Sequence, residues 1–360
     1  LEAVEVQDNL KSGISTYNQG NYSIHIDNSK ILSNGLFGID IGHDINFWLR
    51  ESVLDSNTLG AMSLHPNIAG GIEASNSFNT PALIRINGGN ITRNAFWPGF
   101  YNDYGVHYYL EGQITVLGNT EKTTLLEIGE GAEIRFFNSS HAILNIGGTN
   151  SPADLNVMGT EDKPVTFTSA AAVPAPGDWR YINLTSNAVN CTFDHTVFEY
   201  GGKSQGYGYD ATILTEADSL SISNSTIRYS GTHGMTVSSN AKFISLEAVE
   251  VQDNLKSGIF AYNHGDYSIH IDNGLILSNG LYGIDIGHDV NFRLRESVLD
   301  SNTLGAMSLH PNIAGGTEAS NSFNTPALIK IKGGNITNDA FWPGFYNDYG
   351  VHYYLDGQIT

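Results

Sequence analysis

The sequence predicts an all-β chain wound as a parallel β-solenoid, and three observations lead there. The first is composition: 40 glycines and only 15% charged residues in 360 suit many short strands joined by tight turns better than helices. A hydrophobic content of 40% is enough to build a core, which argues against general disorder. The second is a long repeat. Residues 246–360 follow residues 1–115 without a gap, and only 15 of the 115 aligned pairs differ. The third is a shorter period of 22 to 25 residues nested inside the long one. Internal periods of this size mean stacked supersecondary units, each unable to bury its apolar face alone.

The short period is visible in residues 1–14 (LEAVEVQDNLKSGI), 24–39 (IHIDNSKILSNGLFGI), 47–61 (FWLRESVLDSNTLGA) and 220–235 (LSISNSTIRYSGTHGM). Each holds an apolar alternation, a polar pair, another apolar step, then Asn or Ser, and a Gly a few residues on. The Gly series is Gly13, Gly38, Gly60 and Gly234, then Gly258, Gly283 and Gly305. Strands this short cannot bury a core alone, but equivalent strands stacked ~4.8 Å apart share one inward column. Alternation places Ile24, Ile26, Ile39, Ile41, Phe47 and Leu49 inward, with His25, Asp40 and Trp48 outward. The glycines are expected to supply positive φ at a corner. Asn9, Asn34 and Asn57 recur at one corner, where asparagine tolerates a left-handed bend, and they are expected to stack as an amide ladder.

The two copies test the facing from within. Trp48 becomes Arg293, Arg85 becomes Lys330 and Asn87 becomes Lys332, all at positions assigned to solvent, whereas the one clear inward change is Ile45 to Val290. A charge placed in the core would cost several kcal/mol, on the order of the price of burying an unpaired polar group. Residues 1–245 are therefore one full unit of a continuous solenoid, and residues 246–360 begin the next. The junction, TVSSNAKFISLEAVEV at 236–251, keeps its alternation and carries no linker. Corner counting gives about ten coils per 245-residue unit, an advance of roughly 50 Å at the usual strand spacing. The chain opens in mid-pattern and stops at Gln358-Ile359-Thr360, where the first copy runs on into Val116-Leu117-Gly118. It is expected to be a segment of a longer tandem array.

These coils resemble the parallel β-helix repeat of secreted and surface proteins. Residues 112–148 (GQITVLGNTEKTTLLEIGEGAEIRFFNSSHAILNIGG), 155–169 (LNVMGTEDKPVTFTS) and 177–184 (GDWRYINL) are similar to the pattern of bacterial and archaeal right-handed β-helix proteins. The resemblance covers essentially the whole chain and implies a right-handed parallel β-helix in an extracellular or cell-surface setting. It does not select an activity, because that family includes polysaccharide lyases, hydrolases, epimerases, tailspikes, adhesins and structural surface proteins.

Charge narrows the partners. A formal net charge of −20 with 17 basic residues and no basic stripe argues against nucleic acid. An acidic surface binds cations weakly and repels anionic polymers such as polyuronates. No apolar run approaches the roughly 20 residues of a membrane span. The single cysteine, Cys191, alternates inward in Cys191-Thr192-Phe193 and reads as a buried, inert thiol.

The densest unusual segment is residues 96–109 (FWPGFYNDYGVHYY), repeated unchanged at 341–354. Its aromatics exceed what one coil buries by alternation. Phe96, Trp97, Phe100, Tyr101, Tyr104 and Tyr108, with Trp342 and Tyr346 in the second copy, form either a loop folded over the solenoid or an exposed shelf for a protomer or a sugar. A second excursion, residues 201–210 (GGKSQGYGYD), lengthens its coil and is either a flexible insertion or a binding loop. His43 between Asp40 and Asp44 is the most catalytic-looking cluster, with Glu51 and Asp55 on neighbouring coils. It lacks a local basic group to stabilise an anionic intermediate, and it reads as a solvated corner. Asn-x-Ser/Thr sites occur at Asn21, Asn90, Asn138, Asn183, Asn190, Asn224 and Asn335, near the number chance gives for this composition. The scattered histidines show no metal-ligand spacing, so no cofactor is expected and Ca²⁺ is the only candidate ion.

The function expected from these readings is a non-catalytic structural or adhesive surface filament that associates with itself, end to end, with side-by-side bundling as a further expectation. The alternatives are a polysaccharide-active enzyme and an adhesin for cell-surface glycans.

Overall fold

The computed structural model describes residues 1–16, 20–79, 81, 83–100, 105–261, 263–324, 326–337, 339–345 and 350–360. The chain winds as a parallel β-solenoid of about 14 turns. The helical segments among the described residues are two 3₁₀ helices of six residues each, Pro66–Gly71 and Pro311–Gly316.

One turn shows how the sequence makes a coil. Ser23–Asp27, Lys30–Leu32 and Phe37–Ile41 form three sides, and the next turn repeats them as Asn46–Arg50, Val53–Asp55 and Gly60–Leu64. Pairing is parallel and in register: Ile24 opposite Phe47, Ile26 opposite Leu49, Ile31 opposite Leu54, and Ile39 opposite Met62. Because a slip of one residue would turn every apolar side chain to water, the alternation fixes that register. Ile26, Ile31, Ile39, Ile41, Leu49, Met62 and Leu64 are wholly buried, while His25 and Trp48 lie outside. Each such side chain contributes roughly 1.5–3 kcal/mol by leaving water, and the columns join into one core along the rod.

The unit boundary leaves no mark on the ladders. Ser219–Ser223, Phe243–Glu247 and Ser268–Asp272 pair in succession, with Ile222, Leu246 and Ile271 in one column. On the adjoining side Thr226–Arg228, Glu250–Gln252 and Leu275–Leu277 do the same.

The corners differ from expectation. Left-handed φ near 53–57° falls on Asp8, Ser33, Ser56, Asp253, Ser278 and Ser301, the residue before each corner asparagine. In the glycine series only Gly60 and Gly305 have positive φ. The other glycines are there for space. A Cβ on Gly38 would lie 2.8 Å from the carbonyl of Ala61 and 2.9 Å from Nδ2 of Asn57, and one on Gly283 would meet Ala306 and Asn302 in the same way. The glycine of one coil is thus the seat for the asparagine of the next. There Asn34 Nδ2 donates to Asn57 Oδ1 (2.8 Å), Asn9 Nδ2 to Asn34 Oδ1 (2.9 Å), and in the second copy Asn254 to Asn279 and Asn279 to Asn302 (2.9 Å each). The second Nδ2 hydrogen reaches a backbone carbonyl, Ile31 for Asn57 and Val251 for Asn279. Asn34, Asn57, Asn254, Asn279 and Asn302 are buried with their amides satisfied along the stack, whereas Asn9 is exposed.

The sheets are not simple columns. A four-stranded sheet ends at Ser77–Phe78, while the neighbouring sheet runs on through Leu83–Ile86, His107–Leu110 and Glu133–Phe136 and takes over the vacated side. Two new sheets begin at Gly89–Ile91 and Ala95–Trp97. The second copy repeats the event: the 13-stranded sheet ends at Ser322–Phe323, and its neighbour continues through Leu328–Gly334 to His352–Ile359. The 3₁₀ turns sit at this changeover. A Cβ on Gly71 would lie 2.0 Å from the carbonyl of Phe47, so the turn lies flush on the strand below and only glycine fits.

The interior carries more differences between the copies than the sequence reading assigned: buried Ser29 becomes buried Gly274, and buried Phe37 becomes half-buried Tyr282. Besides Ile45 and Val290, buried Ile72 is replaced by buried Thr317, whose hydroxyl has no hydrogen-bond partner.

Candidate functional site

The aromatic segment is mainly core. Trp97, Phe100 and Tyr108 are buried; Trp97 stacks on Tyr108 (5.2 Å, 21°), and Phe100 meets Phe78 edge-on (4.9 Å). The Tyr108 hydroxyl donates to the carbonyl of Pro98 at 2.9 Å, and burial pushes its pKa well above the usual phenol value. Of the two readings of this segment, this corrects the one that put these three residues on an exposed shelf, since buried rings offer no surface to a sugar or a protomer. Their position explains the aromatic richness: the cluster fills the core where the sheet ending at Phe78 stops. Phe96 alone of the described first-copy candidates is exposed, and Trp342 is half-buried, donating to the carbonyl of Pro311. Tyr101, Tyr104 and Tyr346 lie outside the described residues.

The Asp40–His43–Asp44 corner is joined by a cation from a distant part of the chain. Arg93 binds Asp44 at 2.9 Å and donates to the carbonyl of Ile45, while Asn67 donates to Asp44 at 2.7 Å. Asp44 is therefore a neutralised structural carboxylate. Among the described residues no group of three or more His, Cys, Asp or Glu side chains is placed to hold a metal. Of the glycosylation sequons, Asn90, Asn138, Asn224 and Asn335 are exposed, and Asn183 is half-buried, donating to Asn145 at 2.9 Å. Cys191 is buried and its thiol is pushed up to about 12 by desolvation, which leaves no thiolate for chemistry at neutral pH.

The second excursion builds a real concavity. Its floor is the outer face of successive coils: Arg180, Tyr181 and Asn183 on Trp179–Leu184, Leu214 on Ala211–Thr215 with Glu216 beyond it, then Ser238, Ser239 and Asn263. Tyr207, Tyr209 and Asp210 of the loop complete a cleft of about 480 Å³. The loop is tied down from several sides. Asp210 is buried and accepts from the amide of Gln205 (2.8 Å) and the hydroxyl of Ser204 (3.3 Å). Thr232 donates to the carbonyl of Gly202 at 3.0 Å, and a ring nitrogen of His233 lies 3.2 Å from the carbonyl of Gly208. Burial, with help from Lys256, lowers His233 to about 4, so at neutral pH it is uncharged and its Nε2–H donates to that carbonyl.

Within the cleft, Tyr207 and Tyr209 stack in parallel (5.4 Å, 15°), and Arg180 lies 4.6 Å over the ring of Tyr181. Arg180 makes no ion pair among the described residues, and its buried Nε has no hydrogen-bond partner. Burial raises Tyr181, Arg180 opposes the shift, and Asp210, Tyr209 and Tyr207 add to it, so these groups share one field. Glu216 accepts from Ser238 and Asn240, each at 3.2 Å. The sequence pointed to the loop but not to its floor. The signal for the floor was positional: Tyr181 and Asn183 are outward residues of one strand, and Glu216 follows the next strand in the stack.

No protein-family model, curated protein or solved structure matches this chain.

Proposed function

We propose that the chain is part of a stiff extracellular rod in which tandem 245-residue units add length, a structural or adhesive surface filament without catalysis. The observation that supports this reading most directly is the passage of the sheets through residue 246 with strand register kept on every side. A unit attached in that way lengthens a rod; it does not add a separate bead. The changeover recurs in both copies, as expected if it is part of the repeating unit. Parallel strands at either end of such a rod present unpaired backbone groups that a second copy can satisfy by stacking end to end. Electron microscopy of the native assembly tests the reading. Filaments with an axial period near ~50 Å, about ten coils at the usual strand spacing, are the expected result, and isolated monomers at all concentrations are the result that counts against it.

The cleft beside Tyr207 favours an adhesive over a purely mechanical rod.

A further inference from the structure

We infer that the cleft formed by Tyr181, Tyr207, Tyr209, Arg180, Asn183 and Glu216 binds a neutral sugar residue of a glycan chain. Its volume lies within the range of small-molecule sites, roughly 300–1,000 Å³, and the loop that walls it is already fixed by Asp210, Thr232 and His233. Binding therefore needs little ordering, which is where much of the free energy of association is otherwise lost.

The chemistry of the lining selects the ligand class. Tyr207 is 53% exposed, although it is held in a parallel stack on Tyr209. A tyrosine fixed in that way presents a flat apolar plate with a polar rim, which suits the C–H face of a pyranose ring. Around the plate stand groups that read hydroxyls. Glu216 has two protein donors and, as a carboxylate, room for about two more. Asn183 spends one amide hydrogen on Asn145. Arg180 brings guanidinium donors that no carboxylate occupies among the described residues. A hydrocarbon ligand would leave these polar groups unpaired, and an aromatic cation would have to lie beside Arg180.

The remaining question is the charge of the sugar. Arg180 taken alone would favour a uronate or another acidic sugar. Asp210 and Glu216 share the cleft with it, so the lining carries one cation against two carboxylates on a chain of net charge −20. The wider field therefore opposes an anionic polymer, and the Arg180 guanidinium is already engaged on the face of the Tyr181 ring. Neutral hexose or pentose chains are the class that remains.

The test is isothermal titration calorimetry of the full chain with neutral hexasaccharides (β-1,4-linked glucose, mannose and xylose) and with hexagalacturonate. The inference predicts saturable binding of at least one neutral probe, weakened tenfold or more in Tyr207→Ala and in Glu216→Gln and unchanged in Phe96→Ala. Tyr207 is exposed, so its truncation leaves the fold intact, and circular dichroism of each variant checks this. Absence of binding by every neutral probe overturns the inference, as does binding that Tyr207→Ala leaves unchanged. Tighter binding of hexagalacturonate, lost in Arg180→Gln, overturns the assignment to neutral sugars. None of these results bears on the rod, which is tested by length.

Discussion

The first copy pairs Arg85 with Glu111, and the second pairs Lys330 with Asp356 at the same two positions. Both members have changed, both have become shorter, and the contact between adjacent coils has survived. Elsewhere on the outer face the second copy gains some such contacts and loses the cation of another: Lys332 binds Asp285 at 2.6 Å, and Arg293 joins Arg295 on Asp272 at a site where the first copy has only Arg50 on Asp27, but Arg93, which binds Asp44 in the first copy, is replaced by Asn338. The interior is nearly invariant by comparison, and its least conservative change, Ile72 to Thr317, leaves a buried hydroxyl unpaired. At the Arg85–Glu111 position the copies keep the contact from one coil to the next while changing both partners, and inside they keep nearly the same side chains.

Four substitution experiments probe these contacts. The largest difference is expected at the aromatic plug. Trp97 is wholly buried under the coil that contains Thr124–Ile128, and Trp97→Ala should destabilise its coils by about 3–5 kcal/mol. Half-buried Trp342 carries no such cover in this chain, and Trp342→Ala should lose less than half as much. Hydrogen-exchange protection of the strands flanking each site reads both values, and equal losses would contradict the assignment of this cluster to the core. Next is the amide ladder. Asn279→Ala strips partners from Asn254, Asn302 and the carbonyl of Val251, all in the interior, and should cost about 3 kcal/mol at 1–3 kcal/mol per stranded group with partial relaxation. Exposed Asn9→Ala should stay below about 1 kcal/mol. The same exchange measurement applies, and a ladder of only cosmetic importance would give two small values.

Thr317→Ile restores the first copy's side chain and removes an unpaired hydroxyl, and it should stabilise the second copy by about 1–2 kcal/mol. A destabilisation in urea titration would show that the surroundings of Thr317 have repacked around the smaller residue. The smallest effect belongs to the outer ion pairs. Arg85, Glu111 and Asp356 keep a third or more of their side-chain surface in water, and Lys330 a quarter, so a double-mutant cycle at either pair should give a coupling below about 1 kcal/mol. A coupling well above that value would mean that these pairs hold the coils together and do not merely decorate them.

Much of the solenoid was legible in the sequence because its signals are local and repeated. Alternation in SIHID and NFWLR assigns Ile24, Ile26, Phe47 and Leu49 to the core, and the spacing of Asn34 and Asn57 brings their amides together. What stayed hidden depends on contacts across coils. Gly38 reads as a bend because glycine permits positive φ, yet its role is set by Asn57, 19 residues further on in the next coil. Arg93 is far from Asp44 in sequence, so the Asp40–Asp44 corner looked free of cations. The changeover leaves no periodic trace, because one sheet passes to another side of the rod while every strand keeps its own alternation. Its plug, Trp97, Phe100 and Tyr108, therefore read as more aromatics than one coil could bury, open to a loop folded over the solenoid or to an exposed shelf. The cleft was half legible: the loop of residues 201–210 broke the period, while Arg180 and Glu216 were ordinary outer residues until the stack placed them under Tyr207.

If residues 246–360 continue the rod begun by residues 1–245, each further unit adds length and nothing else. That is tested most directly by appending residues 116–360 after Thr360, in phase because Thr360 occupies the place of Thr115, and comparing small-angle X-ray scattering of the two chains. The longer chain should have a long axis greater by roughly 50 Å, about ten coils at ~4.8 Å, with an unchanged cross-section. A wider particle of the same length, or two bodies joined by a flexible hinge, would contradict it.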